Sequence, residues 1–75
     1  MIIPDPHWHM LLAHLVQAVT DASRGHLVQG YDSLLAGLAF ARELQEEGRP
    51  WAGHLVRRYE QVIAAFEQRY GPRWP

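Results

Sequence analysis

Apolar residues recur at the helical period along almost the whole chain. In the first segment Trp8, Leu11, Leu12, Leu15, Val16, Val19 and Ala22 form one stripe at about 100° per residue, the period of a helix rather than a strand. Asp5-Pro6 opens it, because Asp is a favoured N-cap and Pro is favoured at the first helical position. Ser23-Arg24-Gly25 closes it, with Gly25 available as a left-handed cap. The second stripe is Leu27, Tyr31, Leu34, Leu38 and Ala41, flanked by Val28 and Leu35. Gly30, Gly37, Phe40 and Leu44 widen its apolar arc past half the circumference, and Asp32, Glu43 and Glu47 hold the polar side. A wide arc is expected of a helix with two neighbours. Each of Gly30 and Gly37 costs about 1 kcal/mol relative to Ala in a helix interior, a cost that close approach of another helix backbone would offset. Gly48-Arg49-Pro50 is a stop followed by a start. The third stripe is then Trp51, Leu55, Tyr59, Val62, Ile63, Phe66 and Tyr70, ended by Gly71-Pro72, with Arg73-Trp74-Pro75 as a tail.

These signals predict helices over residues 6–23, 26–47 and 50–70 of a single all-α domain spanning 1–75. The connections are short, so successive helices should be antiparallel neighbours in a three-helix up-down-up bundle. Residues 26–37 also match residues 54–65: His, Leu, Val, Tyr and Ala are identical, and a third His-Leu-Val begins at His14. The match sets the same apolar stripe on two successive helices. It describes packing, not chemistry.

Composition narrows the function classes. A chain of 75 residues has a thin stability margin. Its charge of −1 argues against a nucleic-acid module. The absence of cysteine excludes disulfides, thiolate metal sites and a cysteine nucleophile. All 7 basic residues are arginine, as codon bias in a GC-rich genome would produce. No run approaches the roughly 20 apolar residues of a membrane span, and the N-terminus has no signal-peptide pattern, so the expected compartment is the cytoplasm.

Histidine is the first place to look for chemistry, with 5 in the chain. No helix carries a pair at the chelating spacing of three or four. The topology instead gathers His7, His9 and His54 at one end of the bundle, with Trp8, Trp51 and Arg49, and with Glu46 and Glu47 from the end of helix two. Two imidazoles and a carboxylate there could hold zinc or another divalent ion, the one candidate cofactor of the chain. Arg49-Pro50-Trp51-Ala52-Gly53-His54 resembles the Arg-x4-His spacing of HEPN-type ribonucleases. The resemblance covers these six residues, and the chain lacks a polar residue directly after the Arg. It implies a site at the His7/His9/Arg49/His54 end, with Arg49 stabilising phosphorane-like charge and His54 acting as general acid or base. His14 and His26 read as structural.

The stronger inference is association, with the site at the histidine end as the alternative. Gly37, Phe40 and Leu44 look like apolar surplus beyond what two neighbours cover, and such a patch usually marks an interface. Phe40 would anchor a homodimer, with Gly37 allowing close helix approach. The sequence therefore favours a non-enzymatic helical module that pairs with itself or with a protein partner, unless Ile2, Ile3 and Trp74 cover the patch within one subunit.

Overall fold

The computed structural model describes residues 5–71. Ile2, Ile3 and Trp74, considered above as covers for a patch, lie outside them. The described chain is an all-α three-helix bundle: α1 Pro6–Ser23, α2 Leu27–Glu46 and α3 Ala52–Tyr70. Helix α1 starts where the sequence places it. The Asp5 side chain accepts a hydrogen bond from the His7 backbone N–H at 2.9 Å, and Pro6 follows it. Helices α1 and α2 end in the same way. Gly25 and Gly48 both take a φ of +90°, a left-handed conformation that glycine adopts without strain. The turn after α1 is closed by Gly25 N–H to Ala22 C=O (3.0 Å) and His26 N–H to Asp21 C=O (2.9 Å). The turn after α2 repeats this, with Gly48 N–H to Gln45 C=O (3.0 Å) and Arg49 N–H to Leu44 C=O (3.2 Å). Helix α3 begins at Ala52 rather than residue 50. Residues 50 and 51 form a turn instead, with Ala52 N–H bonded to Arg49 C=O and His54 N–H to Trp51 C=O (both 3.1 Å).

Helix α2 is the central element. Helices α1 and α3 each pack along it and meet one another far less. The core joins Leu11, Leu15 and Ala18 of α1 to Leu34, Leu38 and Ala41 of α2 and to Leu55, Tyr59, Ile63 and Phe66 of α3. Both interior glycines of α2 sit at contacts. A Cβ on Gly30 would lie 2.8 Å from the Ala18 carbonyl oxygen, so the backbones of α1 and α2 approach closely there. A Cβ on Gly37 would lie 2.3 Å from the Tyr59 ring, so the aromatic ring of α3 fills the space that glycine leaves.

Tyr59 then reaches across the bundle. It is fully buried, and its hydroxyl donates to the Leu11 carbonyl at 2.7 Å. One side chain thereby links all three helices. Burial pushes the phenol up to about 12, which keeps it a neutral donor at ordinary pH. His14 Nε2 donates to the Ser33 carbonyl at 2.8 Å, a structural role that ties α1 to α2.

Candidate functional site

The two ends of the bundle differ. At the end formed by the starts of α1 and α3, the aromatic rings of Trp8 and Trp51 meet edge to face at 5.7 Å, as the topology requires. The Arg49 guanidinium binds the Asp5 carboxylate there, so the cap of α1 is braced from the loop before α3. Glu47 lies 3.9 Å from the same guanidinium. Loss of water around Asp5 raises its carboxyl. The His7 backbone N–H, the Arg49 hydrogen bond and charge, and the His7 ring together outweigh that and hold it below the usual carboxylate value.

The sign of the pH dependence follows. A lowered folded-state value contributes stability that is present above the unfolded pKa of about 4 and is lost as pH falls through the lower, folded one. Arg49→Ala should therefore melt at a lower temperature than the wild type near neutral pH, and the gap should close as pH falls below about 4. Thermal melts followed by circular dichroism across this range test it, and a gap independent of pH would show that Arg49 acts through packing alone.

The candidate ligands are at this end but do not form one group. The His7 ring packs edge-on against Phe40 at 5.6 Å, with Nδ1 3.3 Å from Asp5 Oδ1. His9 is exposed. His54 is exposed and accepts from the Arg57 guanidinium at Nδ1, 3.2 Å away. Among the described residues no three His, Cys, Asp or Glu side chains are grouped to hold a metal ion. Nor are the two members of the Arg-x4-His spacing engaged with each other. Arg49 is bound to Asp5, and His54 to Arg57.

The three residues read as an apolar surplus are placed differently from the expectation. Gly37 and Leu44 are buried within the protomer, Gly37 beneath the Tyr59 ring. Phe40 is half-buried against His7. The wide arc of α2 is consumed by two neighbours, one of which sends in a large ring. Among the described residues, the exposed large apolar ones are instead Met10, Val16, Val19, Val28 and Leu35. The sequence placed Val16 and Val19 in the covered stripe of α1. They are 65% and 46% exposed because α3 is not close enough to cover them.

A groove of about 600 Å³ lies there, at the end opposite the tryptophans. Val19, Ala22 and Ser23 line it from α1, and Val62, Ala65, Phe66, Arg69 and Tyr70 from α3, with Leu27 below. Its floor is apolar. Its one charged lining residue among those described is Arg69, whose guanidinium lies 5.6 Å from the Tyr70 ring centre. Nothing in the helical stripes alone distinguished this end from the other. The nearest sequence signal is the pair of α2 glycines, at which α2 packs closely on α1 and on Tyr59 of α3.

No family model matches this chain, and neither a curated protein nor a solved structure does. No helix among the described residues is long and apolar enough to cross a membrane.

Proposed function

We propose that this chain is a non-enzymatic helical interaction module that works in the cytoplasm, self-associates, and offers the same surfaces to a protein partner. The observation that carries the reading is the open apolar groove between α1 and α3, with Val19 in its lining and Val16 exposed one turn before it on α1. Exposed apolar surface of this kind usually marks an interaction site. A bundle this small also gains stability from a second copy, because its own core is limited.

Sedimentation velocity on tag-free protein over a range of concentrations tests the reading, with native mass spectrometry of the same sample. The expected result is reversible association to dimers or larger species that carry no bound metal. A protein that stays monomeric at every concentration would sink self-association. A stoichiometric metal would move attention to the histidine end.

A further inference from the structure

Val28 and Leu35 of α2 are 47% and 42% exposed, and neither lines the groove. They belong to an outer stripe formed by Val28, Asp32, Leu35, Ala39, Glu43 and Glu46, spaced by three or four residues and exposed throughout. This stripe is an acidic amphipathic face. Among the described residues, Asp32, Glu43 and Glu46 have no basic partner. The groove has the opposite character. Val62, Ala65 and Arg69 of α3 line it, and Arg58 lies one turn before Val62 on the same face of α3, just beyond the lining, so arginines flank its apolar step. Neither Arg58 nor Arg69 has a carboxylate partner among the described residues, whereas Arg42 pairs with Glu60 and Arg49 with Asp5.

We infer that the groove between α1 and α3 of one protomer receives the outer face of α2 of a second copy, in a head-to-tail contact. This rests on the self-association reading and specifies its geometry. Val28 and Leu35 would seat against Val16, Val19 and Val62, and the carboxylates of α2 would meet Arg58 and Arg69. An apolar helix face laid into an apolar groove is a common mode of helix recognition. The arrangement gives the groove a fourth helix and covers four of the five exposed large apolar residues of the described chain. A two-fold contact of groove against groove would instead oppose arginine to arginine, and like charges across an interface are unfavourable. The two surfaces lie on opposite sides of the bundle, because the groove faces away from α2. The contact is therefore heterologous, and it continues into a ring or an open chain of protomers.

The test uses two surface variants, Val19→Glu in the groove and Leu35→Glu on the outer face of α2. Both positions are exposed, so each variant should keep the helical circular dichroism of the wild type. Each alone should associate about ten- to a hundredfold more weakly than wild type by sedimentation velocity. An equal mixture should form a one-to-one pair, joining the intact groove of Leu35→Glu to the intact α2 face of Val19→Glu. That pair should not grow further, while wild type continues to larger species and weakens as ionic strength rises. A wild type that never associates overturns both this contact and the reading beneath it. A wild type that associates while the mixture remains monomeric, or while either variant alone is unaffected, overturns the head-to-tail contact and leaves self-association standing.

Discussion

Gly37→Ala should destabilise the protein by about 2 kcal/mol or more, although Gly to Ala in an ordinary helix interior gains nearly 1 kcal/mol. The added methyl would sit 2.3 Å from Tyr59 Cε1, 2.5 Å from Cζ and 2.6 Å from the hydroxyl oxygen. The ring cannot swing aside cheaply. It is fully buried, and its hydroxyl is held by the Leu11 carbonyl. Either α2 moves outward and loosens the core, or the Tyr59 bond breaks. For a domain of this size the loss corresponds to roughly 10 °C in Tm. Gly53→Ala is the internal control. Its Cβ would meet only the flexible end of Gln45, at 3.2 Å, so that variant should melt at or above the wild-type temperature. A Gly37→Ala protein as stable as Gly53→Ala would mean that α2 and Tyr59 are farther apart than described.

Tyr59→Ala should be worse still, at about 3–5 kcal/mol, which approaches the whole stability that a core of this size supplies. It removes a fully buried ring and its hydrogen bond together. Tyr59→Phe separates the two contributions. It keeps the ring and should cost only about 1–1.5 kcal/mol for the lost hydrogen bond. The pH dependence identifies the hydroxyl. The folded phenol is pushed up to about 12, above the unfolded value of about 10. Its contribution is then fully present below about pH 10 and is lost as pH rises toward the folded value. The stability gap between wild type and Tyr59→Phe should narrow over that alkaline range, measured by urea unfolding at each pH. A gap unchanged at high pH would mean that the hydroxyl is not buried in solution.

Local signals in the sequence carried most of the fold. Asp5-Pro6, Gly25 and Gly48 each mark a helix end because the backbone geometry there demands those residue types. The stripes assign the core correctly at Leu11, Leu15, Leu34, Leu38, Leu55, Tyr59 and Phe66. Gly30 was legible as a close helix contact, since an interior glycine is otherwise costly. The surface was less legible. The periodicity of one helix shows how wide its apolar arc is but not how far a neighbour's side chain reaches into it. Gly37 and Leu44 therefore looked surplus when Tyr59 and the rest of the core were filling that side. Val16 and Val19 looked covered for the converse reason, because their stripe does not record the distance from α1 to α3. The Asp5–Arg49 pair joins residues far apart in the chain, and no local spacing announces it.

The bond from Tyr59 to Leu11 spans 48 positions of sequence. Bringing such distant points together costs more chain entropy than docking either helix onto its neighbour across a short turn. The contacts of α1 with α2, and of α2 with α3, can form locally and early. The tyrosine can find its carbonyl only once both hairpins share the same central helix. The bond ties α1 directly to α3, so the two hairpins that share α2 are expected to unfold as one unit.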